Sequence, residues 1–147
     1  MKGMTLIVKC ISQLMAPSIF LLGVYVVLHG HLTPGGGFAG GVLIAGSFVL
    51  LILAFGSDEV RSQILNWNAT AFESVGLFVF WFLAFWGLIR GTYYFTNVIT
   101  KVNPGLPYHL FSAGIIPLCN LAIGIEVAAA LFSIFICLAI LKVGDRI

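Results

Sequence analysis

Four stretches of this chain each run for roughly twenty residues with scarcely a charge, and that length dictates the solvent. A hydrocarbon core of about 30 Å is crossed by about 20 helical residues at about 1.5 Å each. The stretches are residues 5–28, 36–56, 71–89, and a last one that starts at Ser112 or Leu118 and ends at Leu141. Transmembrane strands alternate apolar with polar side chains, so unbroken apolar runs exclude a β-barrel. Composition agrees: 61% of the 147 residues are hydrophobic, only 8% are charged, and mean hydropathy is +1.13. A soluble domain with so few charges could not clothe its surface. The expected fold is an all-α integral membrane domain over residues 1–147, with four transmembrane helices.

Between the spans lie a tight Gly-Pro turn (His29 to Gly35), a short polar loop (Ser57 to Thr70) and a Pro-Gly-rich loop (Asn97 to Tyr108). Four spans place both termini on one side. That side carries Lys2, Lys9, Arg61, Lys142 and Arg146 against Arg90 and Lys101 on the other, so the termini are expected in the cytoplasm and the chain in the plasma membrane as a multi-pass protein. Lys2 and Lys9 before an apolar stretch resemble a signal peptide, but no small-x-small cleavage site follows, and the segment reads as a retained helix. Lys9, Ser12 and Gln13 dilute its front half and belong at the interface or against a neighbour. Cys10, Cys119 and Cys137 have no C-x-x-C spacing, which points to no disulfide framework, metal site or cofactor. With 7 bases and 5 acids spread thinly, nothing suggests nucleic acid.

The strongest local signal is the turn from His29 to Gly41. Gly35, Gly37 and Gly40 satisfy G-x-G-x-x-G, with Asp58 downstream, but that fingerprint needs a strand before it and a soluble βαβ unit around it. Membrane spans flank this one. The glycines read instead as packing surfaces: Gly37, Gly41 and Ala45 form one small-x-x-x-small ridge, Gly36 and Gly40 another. Thr33 is expected to cap the second helix and Pro34 to occupy its first position. His29 and His31 sit at the membrane edge, where imidazoles titrate near neutral pH or simply hydrogen-bond the loop.

The string His31, Pro34, Gly35, Gly36, Gly37, Phe38, Gly40, Gly41 resembles the signature of the B subunit (MnhB or MrpB type) of multisubunit Na+/H+ antiporters. The similarity continues to Ala54-Phe55-Gly56, and the size and four-span plan match. Many members carry Gln where this chain has Ala39. Their last span tends to begin Phe-Asp-x-Gly-Val, whereas Cys119-Asn120-Leu121-Ala122-Ile123 stands here and lacks that charge. The ending is more similar to the version built into archaeal membrane-bound hydrogenases and sulfur-reducing respiratory complexes. The resemblance implies a subunit that is no enzyme by itself, partnered by other small membrane subunits and a large antiporter-like one, in a complex that moves Na+ or H+ and that is an oxidoreductase in the respiratory version.

Of the charges, only Glu126 falls well inside a span. A bare carboxylate there costs on the order of 2.5–3.5 kcal/mol on insertion scales, so it must be protonated, paired or facing water. At about 100° per residue, Cys119, Ala122, Ala129, Ala130, Ser133 and Cys137 share its face. Glu126 is thus a candidate relay carboxyl, or an acid buried against a partner helix. Glu73 is expected near the start of the third span, where a helix N-terminus already favours negative charge. Asn120, near Pro117, can satisfy freed backbone or line a water path. Glu126, Glu73, His31 and Asn120 are therefore the ion-path candidates. Two functions follow: a non-catalytic subunit lining or sealing an ion path, or a purely structural adaptor. A stand-alone enzyme or redox carrier would need an axial His pair, a Cys cluster or a Ser/His/Asp set, and the chain offers none.

Overall fold

The structure, a computed structural model, describes residues 4–32, 34–56, 69–90, 93–102 and 113–144. Four long helices dominate: α1 (Leu6–Leu28), α2 (Gly37–Phe55), α3 (Ala69–Ile89) and α5 (Ile116–Gly144), with a short α4 (Val98–Val102) before the last. All four long ones have the length and composition to cross a membrane. The spans fall within a few residues of those read from the sequence, and no strand occurs among the described residues. Asp58, Glu59 and Arg61 lie outside the described residues, as do Thr33, Lys2 and Arg146.

The start of α2 departs from expectation. The helix begins at Gly37 with Gly36 as its N-cap, and no side chain among the described residues caps it. Gly35 and Gly36 have φ of 151° and 89°, outside the helical region, so the helix cannot extend back to Pro34. Pro34 instead shapes the bend before it. At the far end Gly56, at φ 97°, stops the helix and donates its N–H to the Ile52 carbonyl at 2.9 Å. Pro17 lies inside α1, where its ring removes one backbone donor.

Helices are not arranged in chain order. α1 packs along α2, α2 along α5, and α3 along α5 rather than α2, giving the spatial sequence α1, α2, α5, α3. α2 and α5 run parallel and in register: Gly37 abuts Asn120, Gly41 abuts Gly124, and Phe48 meets Phe132, an offset of 83 or 84 positions at every level. Small residues make this approach possible. A Cβ on Gly41 would lie 2.8 Å from the Gly124 carbonyl oxygen, and one on Gly23 of α1 would lie 3.0 Å from that of Gly40. In lipid, where apolar burial drives nothing, such backbone proximity is what holds helices together. An aromatic chain continues it, with Phe20, Phe48 and Phe132 edge-to-face at 5.9 and 5.8 Å.

The first helix is fastened at its open end as well. Met4 donates its N–H to the Ala54 carbonyl at 2.9 Å, and the Lys9 ammonium sits 5.4 Å from the centroid of the Phe55 ring. Ser12 is buried and Gln13 exposed, so the polar residues that dilute this span divide between a neighbour and the outside.

Candidate functional site

Two polar positions flank α5, and they face different helices. The first lies under the α1–α2 turn. His29 stacks on Tyr25 with ring centroids 4.2 Å apart, and its Nδ1 lies 3.1 Å from the Tyr25 carbonyl, which secures the end of α1. The chain then folds so tightly that a Cβ on Gly30 would collide with the Gly36 backbone and stand 2.9 Å from Asn120 Nδ2. Gly37 rests on the Asn120 carbonyl. Asn120 therefore serves as the floor of the glycine turn. Its Nδ2 is shielded from solvent and has no hydrogen-bond partner among the described residues. His31, half-buried with its Nδ1 also shielded, completes this end of the bundle. Phe38 points outward and is 65% exposed.

The second position is the α3–α5 contact. Gly76 of α3 sits directly on α5: a Cβ there would lie 2.9 Å from the Ala122 carbonyl oxygen, the Glu126 N and the Glu126 Cβ. A glycine at this point lets α3 approach the acid-bearing turn of α5. Glu126 is half-buried at that contact, and among the described residues its carboxylate has no hydrogen bond or ion pair. Glu73 lies one turn before Gly76. Because α3 starts at Ala69, Glu73 is its fifth residue and no acid occupies the first turn, so the helix dipole, which acts within that turn, does not account for it. Phe72 faces a cavity on one side of the α3–α5 contact, and Glu73, about 100° further round the helix, faces the other side.

That cavity occupies about 410 Å³ and is walled by apolar side chains, among them Phe20, Val24, Phe48, Phe72, Ile125 and Phe132. It lies between α3 and the α1–α2 pair. Around α5 the order is thus the α2 contact (Asn120, Ile123, Gly124, Val127), the apolar cavity (Leu121, Ile125, Ala128, Phe132), then the α3 contact (Ala122, Glu126). Between the α3 contact and α2 remains a flank that neither helix contacts through its glycines, half-buried at Cys119 and Ala130 and exposed at Cys137. Cys119, Ala130 and Cys137 lie on it, beside Glu126. Of the four ion-path candidates, then, Glu126 and Glu73 lie on the same side of the α3–α5 contact, while Asn120 lies under the turn that carries His31.

One polar centre escaped sequence reasoning. Asn97, in the loop after α3, donates from Nδ2 to the Ala113 carbonyl at 2.8 Å, and its Oδ1 accepts from the N–H groups of Ile115 and Thr100 at 3.3 Å each. Asn97 thereby caps α4 and ties it to the start of α5. Gly114, at φ 65°, packs against the same amide, which leaves no room for a Cβ. The only local signal was an Asn just before a short run of β-branched residues. Among the described residues no group of three His, Cys, Asp or Glu side chains is placed to hold a metal ion.

Comparison with known proteins gives this geometry a context. A family model described as a domain related to the MnhB subunit of Na+/H+ antiporter matches residues 7–133. An uncharacterized protein of Methanocaldococcus jannaschii is 38% identical over 135 residues, covering 86% of this chain and 49% of that protein. A Staphylococcus aureus (strain Newman) protein named "Putative antiporter subunit mnhB2" is 37% identical over 64 residues, 44% of this chain and 45% of its own. The chain thus matches about half the length of each of these curated relatives.

Proposed function

The chain belongs to the family of domains related to the MnhB subunit of Na+/H+ antiporters, and on that premise we propose that it is a small non-catalytic subunit of a cation/proton-translocating membrane complex, lining or sealing an ion path. The observation that carries this reading is the setting of Glu126: a half-buried carboxylate midway along an apolar helix, admitted by Gly76, beside a flank of short side chains between the α2 and α3 contacts. Intramembrane acids are costly and belong on ion pathways or at buried contacts. Glu73, on the same side and closer to the end of α3, gives a moving Na+ or H+ a second station. Partners follow from the same arithmetic, since two acids on one chain cannot couple two ion fluxes. They comprise other small membrane subunits and a large antiporter-like one, assembled in the plasma membrane with the termini of this chain in the cytoplasm. The Asn at position 120 favours a respiratory hydrogenase or sulfur reductase as the parent complex.

A second reading, an adaptor without an ion-path role, is favoured by the glycine interlock of α1, α2 and α5, which is pure packing. Glu126→Gln in the assembled complex separates the two. Loss of most Na+-linked or H+-linked transport with normal assembly is the expected result, and unchanged transport with normal assembly would remove the relay and leave the adaptor.

A further inference from the structure

We propose that the flank of α5 between α2 and α3 receives a transmembrane helix from a partner subunit, and that this helix carries a lysine or arginine at the depth of Glu126. The inference rests on reading the chain as a subunit of a complex, and it names the chemistry of one neighbour. Glu126 is the eleventh residue of α5, about 15 Å from the start of that helix, so its carboxylate has no easy reach to the headgroups. Among the described residues no base is placed to neutralise it. Lys9 lies against Phe55 and Arg90 against Trp86, both at span ends, and Lys101 is in α4 beyond the end of α3.

The shape fits a helix. Cys119 and Ala130 are short enough to let a backbone approach, while exposed Ile116 and Ile134 border the strip. Charge complementarity selects the occupant: Glu73 lies on the same side, so the flank is negative near two depths and the apolar cavity across α5 is negative at none. A base supplied from outside is also consistent with an ion path shared between subunits, each chain contributing one side.

The test uses the whole complex, purified through another subunit. Glu126→Lys is expected to reduce the co-purified chain by at least about tenfold, since two like charges then meet in a buried site. Reversing one intramembrane Lys or Arg of a partner subunit to Glu, scanned one at a time in that background, is expected to restore it. Normal co-purification of Glu126→Lys, or failure of every reversal to rescue, overturns the proposal. Should the charged variant fail to accumulate in the membrane, Ala130→Trp fills the same flank without adding charge. It is expected to displace the partner, and its normal assembly overturns the proposal too. Transport is not the readout, so an ion-path role that fails leaves this result standing.

Discussion

The two halves of the molecule differ in how many close glycine contacts hold them. α1, α2 and α5 approach one another backbone to backbone: Gly23 on Gly40, Gly37 on Asn120, Gly41 on Gly124, with Phe20, Phe48 and Phe132 filling the layer beyond. α3 packs along α5 alone, likewise backbone to backbone at Gly76, and turns most of its large side chains outward, including Phe78, Trp81, Phe82, Phe85 and Trp86. Those rings pair among themselves, Trp81 stacking on Phe85 at 5.2 Å and Phe82 meeting Trp86 at 5.6 Å. The triad is therefore a frame joined at several glycines, and α3 a helix appended to α5 at one. Both acids of the candidate path lie where the appended helix meets the frame.

This contrast can be broken by substitutions that act on one half alone. The largest effect is expected for Gly41→Leu, which drives a side chain into the Gly124 backbone; the cost exceeds the usual 1–3 kcal/mol of overpacking, about, because backbone cannot yield. Co-purification and thermal stability should both collapse, and a folded, assembled variant would mean the frame does not rest on that contact. Gly76→Leu should displace α3 while leaving the frame intact. Cross-linking between cysteines placed on α1 and α2 should survive, while a cross-link between α3 and α5 should fall severalfold; loss of both would join the halves into one unit. Asn97→Ala removes three hydrogen bonds at about 1 kcal/mol each, so the start of α5 should open locally. Hydrogen exchange at the amide of Ile115 should accelerate by roughly one to two orders of magnitude without unfolding the frame. The smallest effect is reserved for a glycine in α2 itself. Gly46 has nothing within 4 Å, so Gly46→Ala should be neutral or stabilise by about 0.5–1 kcal/mol, measured as a thermal shift. Destabilisation there would show that an unseen neighbour packs on this face.

The frame was more legible than the appended helix, for a physical reason. Spans announce themselves by length, and the ridge of Gly37, Gly41 and Ala45 repeats every four residues, so local periodicity alone predicted a packing face. It could not say which helix that face meets. The placement of Gly41 on α5 and Gly40 on α1 is set by contacts about 80 and 17 positions away in the chain. The same limit hid the spatial order, in which α3 skips its predecessor. Asn97 was missed because its partners lie 16 and 18 residues downstream, across a loop read only as Pro-Gly-rich. The assignment of Pro34 to the first turn of α2 failed because the two glycines after it adopt positive φ, a choice that glycine permits and the sequence does not declare. The small-residue face around Glu126 was visible from periodicity. That Gly76 completes it was not, since one glycine in an aromatic-rich helix carries no signal of its partner.

The order α1, α2, α5, α3 also has a consequence in time. A ribosome delivers α3 before the helix it docks on. At about 5–20 residues per second, the stretch from the end of α3 to the end of α5 takes roughly 3–10 s to emerge. During those seconds α1 and α2 can already close on each other, but α3 has only lipid or the insertion machinery for company. A helix whose exposed surface is mostly aromatic and aliphatic tolerates that wait, and its single acid-side contact forms last, when α5 brings Glu126 to Gly76.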